Sequence, residues 1–445
     1  MKSHRLLRND AARIWTAALR AVDSESAVRK HVRREGQTLR IDGRRFDLGR
    51  KRIWVLGAGK AAAPMGRAIE EILGKYLEGG FLVTKYGHSL PLKKVEILEA
   101  GHPLPDRNSL VAARRIEQLA RNRIEPDDLV LCLFSGGASS LLVSPAEAIS
   151  LEDKVACTRA LLRCGADIHE LNAVRKHLSN IKGGRLSKLL GAATAISLAV
   201  SDVIGDDPAT IASGPMSADP TTFAECLLII QKLRISDQIP DSVRQHLERG
   251  AAGCIDETPK TGDPDFRESE FLIVADNGQA CTAAAQAAKR LGYRAMVLTS
   301  RLDGDTAEAA RFHMSIAAEI ILHGRPLRPP ACIISGGETT ARITGEGKGG
   351  RNQEFVLHCV RQLAGLPAPC VVAGIGTDGT DGPTEAAGAI ADNSTLSRSL
   401  KFGAGFLSES QENNDSYTFF KRLDDLIITG PTKTNVMDLH LVMIG

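Results

Sequence analysis

Short aliphatic runs ending in glycine-, serine- or aspartate-rich loops, each followed by a helical pattern, recur along this 445-residue chain and restrict its fold more than any other feature. Residues 53–56 run into Gly57-Ala58-Gly59-Lys60 and then an amphipathic stretch to about Leu73, and residues 81–84 form a second strand. Residues 129–134 lead into Ser135-Gly136-Gly137-Ala138-Ser139-Ser140, and residues 196–200 into Ser201-Asp202-Val203-Ile204-Gly205-Asp206-Asp207. Apolar strands alternating with helices specify a parallel sheet covered on both faces. From about Ser236 to Glu270 the composition turns polar, and then the pattern restarts at residues 271–275 and 294–298. It continues with residues 332–334 into Ser335-Gly336-Gly337-Glu338-Thr339-Thr340, and 371–375 into Gly376-Thr377-Asp378-Gly379. A chain this long exceeds one ordinary core. The expected fold is α/β: two three-layer α/β/α domains with mostly parallel sheets and an interdomain cleft. The expected boundaries are 1–240 for a Rossmann-like N-terminal domain, 241–270 for a polar linker region and 271–445 for a second α/β domain.

Aromatic residues make up only 4% of the chain, too few to stack bases, so single-stranded nucleic acid is an unsuitable partner. Basic residues crowd the first fifty positions, but Asp and Glu intersperse them and the net charge is only +3, which reads as a solvated surface. No apolar run approaches a membrane span and the start, from Met1, leads into no uninterrupted apolar region, so a cytoplasmic protein is expected. Nine cysteines, an odd number with no close CxxC pair, read as small buried hydrophobes in a reducing compartment. No zinc or calcium spacing appears.

In sheets of this kind ligands sit outside the carboxyl ends of the strands, where the polar loops fall. Gly57 and Gly59 precede a helix, so backbone N–H groups there could approach an anion, although a tight turn fits equally well. Lys60 in the first helical turn opposes the helix dipole, which makes best sense if an anion shares the site. A nicotinamide-binding reading wants an acid at the end of the next strand, but that strand ends at Lys85, which disfavours NAD and leaves NADP open. Ser135, Gly136, Gly137, Ser335 and Gly337 are candidate cradling groups for phosphate or carboxylate oxygens. Asp202, Asp206 and Asp207 follow one strand, Asp378 and Asp381 another. Carboxylates in such loops suit Mg²⁺, which takes one or two of them when phosphate supplies the rest, though Asp-Gly is also ordinary turn chemistry. Finally, Gly345-Glu346-Gly347-Lys348-Gly349-Gly350-Arg351-Asn352-Gln353-Glu354 opens a helix, with Arg351 a planar cationic fork and Asn352 a possible amide contact.

Together these segments resemble the glycerate 2-kinase family, whose C-terminal part is called the MOFRL domain. The resemblance runs from Ala18-Leu19-Arg20-Ala21-Val22 almost to the C-terminus. Beyond the loops above it rests on Gly101-His102-Pro103-Leu104-Pro105-Asp106, Asn172-Ala173-Val174-Arg175-Lys176-His177, Lys182-Gly183-Gly184-Arg185-Leu186, Ser213-Gly214-Pro215 and residues 377–388. It implies ATP-dependent phosphorylation of D-glycerate to 2-phosphoglycerate, with Mg²⁺ or another divalent cation. It places Lys60 and Arg351 in the active site; Asp202, Asp207 and Asp378 are candidates for metal binding, with Asp202 and Asp378 also candidates for catalysis. The expected partners are glycerate and ATP, without nucleic acid or membrane, and a homo-oligomer stays open. The alternatives are an NADP-dependent hydroxypyruvate reductase and a non-enzymatic organic-acid or sugar-phosphate sensor.

Overall fold

The aliphatic runs form buried strands in a computed structural model of the chain, which describes every residue except Met1, Asp265 and Glu268. Met1 of the start segment and two residues of the expected polar linker therefore lie outside the described residues. By its contacts the chain divides into Ser24–Val274 and a second unit made of Met1–Asp23 with Ala275–Gly445.

After the helix Ser24–His31 the first unit forms a small antiparallel sheet of β1 (Val32–Glu35), β2 (Thr38–Ile41) and β3 (Arg44–Asp47). Its main sheet comprises β4 (Ile53–Ala58), β5 (Leu77–Lys85), β6 (Val95–Ala100), β7 (Leu129–Phe134), β8 (Thr194–Val200) and β9 (Glu270–Ala275). Their order is β6-β5-β4-β7-β8-β9. The pairs β4–β5, β4–β7, β5–β6 and β7–β8 are all parallel, with Leu56 opposite both Phe81 and Cys132. Counted from β4, this is the 3-2-1-4-5-6 order of doubly wound sheets. The order reverses between β4 and β7, so the two loops singled out in the sequence, after Ala58 and after Phe134, both end at the topological switch point. Trp54, Leu56, Phe81, Val83 and Ile116 pack into one core cluster of this unit. A second cluster gathers Cys157, Leu161, Val174, Phe223, Val243 and Leu247 from helices outside the sheet.

The second sheet contains β10 (Arg294–Leu302), β11 (Ala331–Gly337), β12 (Cys370–Gly376), β13 (Gly388–Asp392), β14 (Leu426–Ile427) and β15 (Asp438–Ile444), in the order β10-β11-β15-β12-β13-β14. The α/β class holds in both units, but parallel pairing, shown by the four first-sheet pairs above, is confined here to β10–β11. The last strand of the chain slots between β11 and β12 and runs antiparallel to both, placing Leu441 opposite Ile334 and Ala373. β13 then returns antiparallel beside β12. Every residue of β15 is buried, as expected for a central strand with both faces covered.

Two segments sit differently from the sequence boundaries. The helix His4–Ala21 belongs with the second unit: it buries Leu7, Ala11, Ile14 and Ala18, and its Asp10 accepts a 2.7 Å bond from Tyr293 Oη. Its Arg8 pairs with Asp392 and Asp425. Within the expected linker, Asp241–Ala251 is a helix whose Val243 and Leu247 are buried in the helical cluster, and the stretch ends in β9 of the first sheet. Polar composition there reflects an amphipathic surface helix rather than a connector. Among the described residues no helix is long and apolar enough to cross a membrane.

Candidate active site

At the switch point of the first unit, β4 and β7 approach so closely that a Cβ on Gly57 would collide with the Leu133 carbonyl oxygen. Gly59, at φ +140°, would place a Cβ on the Ser135 hydroxyl. The loops are then sewn together: Lys60 N donates to Gly136 O at 2.9 Å, and Ala61 N donates to Ser135 Oγ at 2.9 Å. Ser135 is buried, and Gly137, at φ +83°, accommodates the ring of His102. Gly57, Gly59, Ser135 and Gly137 thus have structural work that explains them without a ligand. Their joint effect is to fix the half-buried Lys60 at the mouth of the switch point.

Asp202 and Asp207 follow β8. Asp207 is exposed and caps its own turn, accepting from Ala209 N at 3.1 Å and Thr210 Oγ1 at 2.6 Å. Asp202 is half-buried.

In the second unit the expected cradle after β11 is internal. Ser335 is fully buried and shares a 2.7 Å hydrogen bond with His313 Nε2, and Gly337 lies where a side chain would meet the Leu302 backbone. The Ser335 hydroxyl is thus engaged by His313, and packing against Leu302 accounts for a glycine at 337. The glycine-rich stretch before Arg351 is likewise docked on protein groups. Gly345 N, Glu346 N and Lys348 N donate to the side chains of Asn414, Asn413 and Asp415, and a Cβ on Gly350 would strike Asp381.

Arg351 opens the helix Arg351–Gly365 and is half-buried. Its Nε and Nη2 donate to the two oxygens of Asp438 at 2.5 and 3.2 Å, and its Nη1 donates to Glu338 Oε1 at 2.5 Å. Burial opposes the charged guanidinium, but Asp438 more than offsets this and holds it protonated. Burial, the largest influence on Asp438, lifts its carboxyl to about 7 against the pull of Arg351 and Asn352. The positive end of the helix already has an anion of its own. The buried Asp381 carboxylate accepts from Asn352 N at 3.1 Å and Gln353 N at 2.8 Å, and from both side-chain amides. Asn352 also donates to Asp438 at 2.8 Å, so its amide is committed to positioning two carboxylates. Asp378 is half-buried and accepts from Thr380 N at 3.0 Å.

Two family descriptions match: Domain of unknown function (DUF4147) over residues 10–248, and the MOFRL family over residues 331–438. Along almost its whole length the chain is similar to the glycerate 2-kinase of Pyrococcus horikoshii, with 41% identity over 439 residues, 98% of this chain and 97% of that protein. The chain belongs to the glycerate 2-kinase family. A crystal structure of glycerate kinase from Thermotoga maritima matches this chain with a TM-score of 0.85 and 39% identity over 99% of each chain. A protein of Agrobacterium vitis bearing a provisional hydroxypyruvate reductase name is 44% identical over 398 residues, 89% of this chain and 88% of that protein.

Other motifs of this glycerate 2-kinase family member prove to be framework. Along the helix Ile168–His177, Lys176 pairs with the buried Asp219 at 3.2 Å and His177 Nε2 meets Glu257 at 3.0 Å. Asn172 accepts a 2.9 Å bond from Ser213 Oγ. Arg175, between them, instead lines a cavity together with Lys182 and two further cations, Lys154 and Arg159, that no loop motif flagged. Lys154 lies mid-helix in Leu151–Arg163 and is only 6% exposed, which marks it, since a lysine is almost never buried without a reason. Among the described residues no group of three or more His, Cys, Asp or Glu could hold a metal ion by itself. Asp202 and Asp207 lie in the first unit and Asp378 in the second.

Proposed function

We propose that the chain transfers the γ-phosphoryl group of ATP to the 2-hydroxyl of D-glycerate. The observation that carries this reading is the end-to-end similarity to a glycerate 2-kinase, 41% identity over 98% of the chain. Phosphoryl transfer asks the protein mainly to position oxygens and neutralise their charge, and the chain's fixed cations suit that task. Lys60 offsets developing phosphate charge. Arg351 is held by Asp438 and Glu338, but each Nη nitrogen carries a second N–H that can grip a substrate carboxylate or phosphate. Asp202 and Asp378, both half-buried, are the carboxylates able to receive the hydroxyl proton or to contact a divalent cation. The absence of a three-ligand cluster among the described residues fits Mg²⁺ carried on the nucleotide, with phosphate oxygens supplying most of its ligands. A cytoplasmic setting fits nine cysteines that are all free.

The reductase alternative would need a nicotinamide cofactor; β5 ends at Lys85 without the acid that grips the NAD ribose, which leaves it NADP alone. The deciding experiment supplies ATP, Mg²⁺ and D-glycerate with enolase and pyruvate kinase but no phosphoglycerate mutase. Prompt pyruvate formation is the expected result, because enolase accepts only the 2-phosphate. ATP consumption without pyruvate until mutase is added would reassign the acceptor to the 3-hydroxyl. NADPH oxidation with hydroxypyruvate, and no ATP consumption with glycerate, would replace the kinase reading altogether.

A further inference from the structure

A cavity of about 400 Å³ opens in the first unit beside the turn that follows β7, touching Gly137, Ser139 and Ser140. Pro103, Leu104, Val155 and Leu162 form an apolar part of its wall. Lys154, Arg159, Arg175 and Lys182 also line it, and among the described residues no Asp or Glu does.

The two lysines are unusual in what surrounds them. Lys182 is 2% exposed, and among the described residues its Nζ donates to neutral oxygens alone, Ser139 Oγ at 3.1 Å and Ala212 O at 3.2 Å. Lys154 Nζ donates to the carbonyl oxygens of Arg175 and Leu178 at 3.2 and 2.7 Å. Among the described residues no carboxylate offsets the burial of Lys154, Arg175 or Lys182; burial depresses all three, and repulsion from neighbouring cations adds to it at Lys154, which falls to about 7, and at Lys182. The fold also holds Lys182 at some local cost. Ala212, which accepts from it, and Ser213 beside it both adopt left-handed φ, +56° and +61°, a conformation that is strained for residues with a Cβ. Buried like charges with no counter-charge destabilise a fold unless something else requires them, and a bound polyanion would relieve both desolvation and repulsion.

Size and wall chemistry narrow the anion. A volume of this order suits a ligand well beyond a three-carbon acid. Leu104 and Leu162 are 53% and 55% exposed, which leaves two large apolar side chains facing solvent at a cationic cavity. A flat heteroaromatic base covers such side chains while a phosphate chain reaches the cations. The cavity also borders the loop at the switch point of a doubly wound sheet, where nucleotides bind in such folds.

We propose that this cavity is the nucleotide site, with Lys154, Arg175 and Lys182 holding the polyphosphate, Arg159 closing over it, and the base lying against Leu104 and Leu162. The assignment rests on the kinase reading only for the identity of the nucleotide. Its test therefore reads binding to the full chain rather than turnover. ADP and inorganic tripolyphosphate are titrated by calorimetry into the wild type and into Lys182→Met, Arg159→Gln and Leu162→Asp. Lys182→Met should weaken both ligands by about tenfold or more without lowering the melting temperature of the ligand-free protein, since it removes an uncompensated charge. Arg159 is exposed, so Arg159→Gln leaves the fold intact and should weaken both ligands several-fold. Leu162→Asp should weaken ADP and the nucleoside contribution in particular. Unchanged ADP affinity in both Lys182→Met and Arg159→Gln would overturn the assignment. Equal wild-type affinity for tripolyphosphate and ADP, with Leu162→Asp affecting both alike, would overturn the base contact and leave a phosphate-chain site. The predicted binding pattern in a protein that never phosphorylates glycerate would sink the kinase reading and not the site.

Discussion

Arg351 shows how a residue can be fixed by acids and still serve an anion. Every nitrogen of its guanidinium donates to a carboxylate, and Asp438, which takes two of those bonds, is fully buried. These bonds hold the planar fork in one geometry, and the second N–H of each Nη nitrogen is left for a further acceptor. Lysine would keep the charge but could not span both Asp438 oxygens and Glu338. Arg351→Lys should therefore lower kcat/KM for glycerate by about a hundredfold, through misplacement as much as lost bonding. Steady-state kinetics in a protein shown by circular dichroism to be folded would check this. A KM and kcat both near wild type would make Arg351 a structural residue only. Lys60 and Arg351 could be singled out in the sequence, the first as a cation opposing the helix dipole, the second as a cationic fork after a glycine-rich turn. The cations of the β7-side cavity could not be, because nothing in the local spacing shows that Lys154 turns inward or that Lys182 lacks a carboxylate.

At the level of elements, the helix Arg351–Gly365 depends on a residue nearly thirty positions downstream in sequence: Asp381 supplies its N-terminal anion. The side-chain cap is not local, so no capping signature precedes the helix, and Gly350 at the cap position makes no side-chain bond. Asp381→Ala would leave the Asn352 and Gln353 N–H groups buried without acceptors. Adding the lost cap to that desolvation, the variant should lose about 2–4 kcal/mol, read as a lower urea midpoint for the second unit with an unchanged slope. A midpoint equal to wild type would mean that water replaces the carboxylate. Pairing direction in the second sheet was equally hidden. A strand buried on both faces has the same continuous apolar run whether its neighbours are parallel or antiparallel, so residues 439–444 gave existence without orientation. The first sheet was readable because β4, β6, β7 and β8 are each followed by helices before the next strand, the crossover that parallel return requires; β5 alone of these passes to its parallel neighbour β6 without one.

For the molecule as a whole, the chain's order along the sequence and its division into units differ at the start. The helix His4–Ala21 shares a unit with Ala275–Gly445, although some 250 residues separate them. Composition could not reveal this, since an amphipathic helix carries no label for the sheet that covers it. Leu7 and Ile14 are fully buried there, and burying two such side chains contributes about 3–6 kcal/mol. That is a large share of the roughly 5–15 kcal/mol by which a domain is stable. Tyr293 and the Arg8 partners Asp392 and Asp425 would also lose bonds made inside this unit. A variant starting at Ser24 should therefore weaken the second unit selectively. Hydrogen exchange followed by mass spectrometry would show faster exchange across β15, while β4 in the first unit keeps its protection. Adding a peptide of residues 2–23 should restore protection to β15 in proportion to its concentration, because the helix then binds only the folded unit. Equal loss of protection in β4 and β15 would show that the helix supports both units, and unchanged protection in β15 would show that its buried face contributes little.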